Sequence, residues 1–167
     1  FDKHGAWARS GTPLAPLLHA CLADPYFQLA APKSTGREYF SLAWLTDKLL
    51  CYTAETGLTP QPKDVQATLL ELTAHSIVQS LQPLGICEQA YLCGGGVGNS
   101  YLIERLQQLA PRIQWQSTAT LGVHPDWVEA ILFAWLAYCH VTRQAGNITE
   151  VTGAEQLAIL GSYTPAN

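Results

Sequence analysis

Tyr91-Leu92-Cys93-Gly94-Gly95-Gly96-Val97-Gly98-Asn99-Ser100 is an apolar run that breaks into glycines and restarts as a helix-forming segment. Its spelling predicts strand, turn and helix. Four glycines in five positions strip the turn of side chains, so the main chain can take positive φ and a ligand can come close to bare N–H groups. With Asn99 or Ser100 as cap, a helix through Leu109 would aim its free N–H groups at the same place. Phosphate or ribose suits such a turn. A tight turn between two packed elements is the plainer alternative.

Around this turn the pattern is α/β. Ala90 to Cys93 is a short unbroken apolar run, as expected of a strand covered on both faces. Pro111 ends the helical pattern, and Ile113 to Ser117 alternates as a second strand. A strand-helix-strand unit of this kind places the glycines at the carboxyl end of a parallel strand, where open α/β sheets bind ligands. The dinucleotide fingerprint does not fit, because Gly94-x-Gly96-x-x-Asn99 lacks its last glycine and no convincing acidic residue follows about 20 positions on. A serine hydrolase elbow of the form Gly-x-Ser-x-Gly is missing as well.

The remaining segments read as helices. Phe1 to Gly11 shows no periodicity and is expected to be a loop. Pro13 to Leu22 is a short helix with Pro16 in its first turn. Glu38 to Tyr52 carries a wide apolar stripe with Trp44 in the core. Lys63 to Leu81, opened by Pro62 and Asp64, is the longest helix and the expected packing centre, with Thr68, Glu71 and His75 on solvated or locally hydrogen-bonded faces. Pro125 to Thr142 is a further helix, expected to turn Val128, Ile131, Leu132, Trp135, Leu136 and Cys139 inward. Gly146 to Gly153 reads as a loop, and Ala154 to Tyr163 as an apolar tail that packs back on the core.

Composition narrows the function classes. The 167 residues are 48% apolar and 13% charged, enough for one domain with a core. A net charge of −4 with nine Lys plus Arg argues against a nucleic-acid partner. No uninterrupted apolar run reaches the ~18 residues of a membrane span, since Val128 to Val141 holds Glu129 and His140. The five cysteines have no Cys-x-x-Cys pair and no zinc spacing, so they read as reduced core thiols in a cytoplasmic protein. No methionine occurs, and the chain is expected to be a piece of something longer.

Two further places invite a ligand. Lys33-Ser34-Thr35-Gly36-Arg37 gathers two cations and two hydroxyls without phosphate-loop order. It reads as the capped start of a helix from Arg37, with anion contacts by Lys33 and Arg37 as an addition. Glu129 lies near the start of an otherwise apolar helix, serving either the helix dipole and solvent or a ligand.

Six blocks in one order carry a resemblance: FDKHGAWARSG, PKSTGREYFSLAWL, DVQATLLELTA, CGGGVGN, GVHPDWVEAILFAWLA and GNITEVTGA. Together they resemble the 1,6-anhydro-N-acetylmuramic acid kinases, nearly end to end. The resemblance implies the carboxyl-terminal domain of an actin-like (ribonuclease H-like) ATPase fold, with residues 1–167 as a single domain and an amino-terminal domain of the same protein as its partner. It implies a cytoplasmic bacterial enzyme of cell-wall recycling that uses ATP and Mg²⁺. The enzyme would phosphorylate the 6-oxygen of the anhydro amino sugar while water opens the ring.

Position by position, Gly94, Gly95, Gly96 and Asn99 match the family's glycine turn against the nucleotide, and Glu129 matches an acidic residue that reaches the sugar. Lys33 and Arg37 match a block without an assigned role. No catalytic residue is expected in this chain, because the phosphate loop and the aspartate general base would precede Phe1; the chain alone is then expected to be inactive. Homodimerisation is left open, and a stand-alone nucleotide-binding or interaction domain without chemistry is the alternative.

Overall fold

The computed structural model describes residues 2–164. Eight α-helices and two short strands follow one another: α1 (Ala6–Arg9), α2 (Ala15–Leu22), α3 (Pro25–Gln28), α4 (Leu42–Thr56), α5 (Pro62–Leu81), β1 (Gln89–Leu92), α6 (Ser100–Leu109), β2 (Gln114–Ser117), α7 (Val128–Val141) and α8 (Thr149–Thr152). The strands pair in parallel, with Gln89 opposite Gln114 and Leu92 opposite Ser117, and α6 makes the crossover between them. The chain is therefore α/β and helix-rich, with a small sheet.

As the pattern predicts, α5 is the packing centre, touching α1, α2 and α6. Pro62 occupies its first turn, where no N–H is needed, and Asp64 follows. Leu17 and Cys21 of α2, Tyr52 of α4 and Leu72 of α5 form the buried core, flanked by Trp44, Leu49 and Leu69. The approach to α5 is fixed by polar contacts. The Thr12 N–H donates to Asp64 Oδ1 at 2.8 Å, and the Leu14 N–H donates to Thr68 Oγ1 at 2.9 Å. Gly11 passes so near that a Cβ there would lie 2.1 Å from the Lys63 carbonyl oxygen.

The faces of α5 expected to be solvated are partly core. Thr68 is fully buried and Glu71 is 4% exposed. Glu71 binds Arg105 of α6 through both oxygens, at 2.8 Å to Nε and 2.7 Å to Nη2, with His75 Nε2 3.4 Å away. The hydrogen bonds to that carboxylate raise the pKa of Arg105 above its already high ordinary value, and the fork pins α6 to α5.

A second buried carboxylate, Asp24, ties α2–α3 to α4. It accepts from Tyr39 Oη at 2.7 Å, Trp44 Nε1 at 2.8 Å and the Tyr26 N–H at 3.1 Å, with Lys48 Nζ at 3.4 Å. Burial by itself would raise this carboxyl, but the hydrogen bonds from Trp44 and Tyr39, helped by Tyr26 and Lys48, together outweigh it and hold the pKa at about 2. Tyr39 and Phe40 are drawn into an edge-to-face cluster with Tyr26 and Trp44. This is why the helix expected from Arg37 starts only at Leu42. Ser41 is its cap, its Oγ accepting the Trp44 N–H at 3.3 Å, while Ser34 and Thr35 lie upstream in irregular chain.

Other expectations also give way. Instead of a loop, the first segment forms a 3-10 turn (Lys3–Gly5) and α1. Asp2 makes this possible by capping, its two carboxylate oxygens accepting the Trp7 and Ala8 N–H groups at 2.8 and 3.0 Å. Of the thiols, only Cys21 and Cys139 are buried; Cys51 and Cys93 are exposed and Cys87 is half-buried. β1 is covered on one face only, with Gln89 and Tyr91 exposed. The supposed loop near Gly146 contains α8. The tail after Ala154 lies along α7 rather than on the core, with His140 Nδ1 donating to the Leu160 carbonyl at 2.9 Å and the Gly146 N–H to Ala158 at 3.0 Å. Of the six residues expected to face inward from α7, Ile131, Leu132 and Trp135 are exposed, Val128 and Leu136 half-buried and Cys139 buried.

Candidate functional site

The carboxyl ends of β1 and β2 lie side by side, and the glycine turn leaves the first of them. Gly94 adopts φ 72°, ψ −171°, a region that essentially only glycine occupies. Gly95–Gly98 then form one 3-10 turn, closed by the Asn99 N–H donating to the Gly96 carbonyl at 3.0 Å. Asn99 caps α6, its Oδ1 accepting the Leu102 N–H at 3.0 Å. The predicted order of strand, turn and capped helix is present.

The four glycines are not there for one reason. Gly94 is required by its backbone angles. At Gly95, Gly96 and Gly98 the φ values are ordinary and a Cβ would meet nothing within 4 Å. Neither strain nor packing within the chain calls for glycine at these three positions. What their bareness provides is an open main-chain surface at a sheet's carboxyl edge, at which a ligand can reach peptide groups directly.

The turn is braced from both sides. From the amino-terminal segment, His4 Nδ1 donates to the Gly98 carbonyl at 2.9 Å, and Ser100 Oγ donates to the His4 carbonyl at 3.2 Å. His4 and Gly5 both hold positive φ, and a Cβ on Gly5 would strike Asn99 Oδ1 at 2.3 Å. Arg9 continues this seam, paired with Glu104 at 2.6 Å and stacked 4.5 Å over the Tyr101 ring. The Ala8 N–H, and after it that of Trp7, keeps the Asp2 carboxyl at the root of this segment below its ordinary pKa. Sequence reasoning missed the brace; the FDKHG spelling, with an Asp four residues before the start of a helix and a glycine between, was its only signal.

On the other side the Gly94 N–H donates to the Pro125 carbonyl at 3.0 Å. Pro125 opens the short 3-10 turn Pro125–Trp127 that runs straight into α7. Glu129 therefore sits four residues from a direct contact with the glycine turn, exposed in the first turn of α7. The structure thus brings Gly94, Gly95, Gly96 and Asn99 together and sets the root of the Glu129 helix beside them. Lys33 and Arg37 are elsewhere. Lys33 Nζ donates to the Tyr26 and Phe27 carbonyls at 3.1 and 3.3 Å and sits 5.0 Å over the Tyr26 ring, while Arg37 is exposed. Among the described residues no hydrogen bond or ion pair joins either of them to the turn, and no three His, Cys, Asp or Glu side chains converge as a metal site.

Comparison with known proteins gives this geometry its context. The family profile described as anhydro-N-acetylmuramic acid kinase matches residues 1–166. The anhydro-N-acetylmuramic acid kinase of Legionella pneumophila strain Philadelphia 1 is 48% identical over 168 residues, covering 99% of this chain and 43% of the relative. Those of Pseudomonas fluorescens (48%) and Shewanella halifaxensis (47%) align over 99% and 100% of this chain and 44% of their own length. The chain thus spans less than half the length of the curated relatives it matches. Matched over nearly its whole length by that profile, the chain belongs to the anhydro-N-acetylmuramic acid kinase family.

Proposed function

We propose that the chain is the carboxyl-terminal domain of an ATP-dependent sugar kinase with an actin-like (ribonuclease H-like) fold, and that its share of the work is binding. The reaction converts 1,6-anhydro-N-acetylmuramic acid, water and ATP into N-acetylmuramic acid 6-phosphate and ADP. Water adds to carbon 1 as its bond to oxygen 6 breaks, and oxygen 6 takes the γ-phosphoryl group. Phosphoryl transfer asks a protein for positioning and charge neutralisation more than for covalent chemistry. The observation that carries the reading is the open backbone at Gly95, Gly96 and Gly98, where no side chain is wanted and none would collide.

Within this chain, Gly94 to Gly96 would let the nucleotide lie against peptide groups, and Asn99 holds the turn's geometry by capping α6. Glu129, on the helix rooted beside the turn, would accept hydrogen bonds from the sugar. Lys33 is occupied by the Tyr26 and Phe27 carbonyls, so an anion role would fall to the exposed Arg37 rather than to the pair. The described residues offer no cluster that fits Mg²⁺ by itself. Such an ion is often held by one or two carboxylates plus substrate phosphates, and no step is assigned to it in this chain. The general base belongs to the other part of the protein.

The test is Glu129→Ala in the full-length enzyme, with sugar phosphate measured directly. KM for the anhydro sugar rises about tenfold or more while nucleotide affinity stays within about twofold. An unchanged sugar KM and kcat would remove Glu129 from the sugar site, and no ATP-dependent sugar phosphate from the wild-type protein would remove the kinase reading.

A further inference from the structure

α7 is apolar on nearly every side, yet among the described residues little besides the tail at Leu160 to Tyr163, which borders Phe133 and Val141, covers it. Ile131, Leu132, Phe133, Trp135, Tyr138 and Val141 are 47–72% exposed, and Cys139 is its buried residue. At about 100° per residue, five of these side chains run from Phe133 through Val141, Tyr138 and Ile131 to Trp135, an arc of about 200°, while Leu132 falls between Cys139 and Leu136. Leu136 and Cys139 mark the packed side. The arc is too wide for one helix lying alongside, because a paired helix needs only a narrow seam and the charged flanks that set its register. Among the 14 residues of α7 the only carboxylate is Glu129, and Lys and Arg are missing. A helix apolar over this much of its circumference is one enclosed within a larger fold.

We propose that this arc is the seat of the part of the full-length protein outside residues 1–167, which packs over α7 from two sides. The occupant follows from length. Relatives of which this chain covers 43–44% carry more than half their residues elsewhere, a body large enough to enclose a helix. The inference rests on the reading of the chain as one domain of a two-domain kinase. Glu129, about 50° beyond the mean direction of Cys139 and Leu136 by the same geometry, lies between the packed side and the arc. The body seated on the arc therefore ends beside this carboxylate, which puts the proposed sugar contact at the seam between the two parts.

The test labels cysteines in the full-length protein. Phe133→Cys and Tyr138→Cys, at well-separated points of the arc, are made singly, with Val141→Cys as the gentler change should either disturb folding. Maleimide modification is followed peptide by peptide, in native buffer and in denaturant, over a hundredfold range of protein concentration. The expected result is labelling about 100-fold slower than in denaturant at each position, independent of concentration. Labelling near the denatured rate at any of them overturns the proposal, and so does protection that fades on dilution, which would mean a second copy is the occupant. Sugar-phosphate formation by the same samples separates this inference from the functional reading. An active enzyme with reactive positions defeats only the docking, and an inactive one with protected positions defeats only the kinase.

Discussion

Gly94 and Gly96 stand two residues apart in one turn, yet replacing them with alanine should produce opposite phenotypes. At Gly94 the backbone is at φ 72°, ψ −171°, so alanine must either strain or move the chain. Such conformations cost a non-glycine residue about 1–3 kcal/mol, and Gly94→Ala should lose that much stability. At Gly96 φ is ordinary and the new Cβ would enter open space. Gly96→Ala should be neutral or up to about 1 kcal/mol more stable, because alanine narrows the unfolded ensemble. A methyl group on that surface nonetheless stands where the nucleotide would touch the backbone. A tenfold loss of ATP affinity, about 1.4 kcal/mol, is the least expected from displacing a ligand packed against the main chain. Both variants of the full-length protein are melted without ligand and titrated with nucleotide by calorimetry. A Gly96→Ala protein that is stable and binds ATP as the wild type does would refute the reasoning, since the glycines would then serve the turn alone.

The remaining expectations concern the two buried carboxylates. Asp24 is held at about 2 against an ordinary value of 3.8. The stability it lends, about 2 kcal/mol, is full above 3.8 and lost as pH falls through about 2. Asp24→Asn should therefore lose about 2 kcal/mol in urea unfolding at neutral pH, with the gap to wild type closing in acid; a pH-independent gap would contradict this. Arg105→Ala should cost about 3 kcal/mol, because Glu71, 4% exposed in the intact protein, loses the fork that pairs its charge. Glu71→Leu/Arg105→Met should recover much of the loss in the same measurement, and a double variant as unstable as the single one would count against the pair.

What the sequence made legible was governed by local rules. Strand, glycine turn, helix and strand over residues 89–117 were readable because each has a local cause: a short apolar run, backbone freedom, the Asn99 cap and a stop at Pro111. The Pro62 start of α5 was readable in the same way. What failed depends on partners far along the chain. Nothing near Glu71 announces that Arg105, 34 residues on, will bury it, and nothing near Tyr39 announces that Asp24 will hold its hydroxyl and delay α4 to Leu42. The brace of His4 and Gly5 on the glycine turn spans 94 residues and had no local pattern to betray it. For α7 the inward pattern holds for buried Cys139 and half-buried Val128 and Leu136, but Ile131, Leu132 and Trp135 are exposed among the described residues. Of the proposed site residues, the glycines and Asn99 lie at one edge of the sheet with the root of the Glu129 helix beside them, while Lys33 is drawn away by two carbonyls.

The single hydrogen bond from the Gly94 N–H to the Pro125 carbonyl gives the molecule a mechanical link. At 3.0 Å it tolerates a few tenths of an ångström of separation before it weakens, so a larger shift of either the glycine turn or the root of α7 is opposed by the other. A guest pressing on the turn would thereby be felt at the start of the Glu129 helix, and a guest drawing on Glu129 would be felt at the turn. Should nucleotide lie on the turn and sugar on Glu129, as proposed, reciprocity would make the two effects equal: whatever factor one adds to the affinity for the other, the other returns. The two substrates would then report on each other through one hydrogen bond.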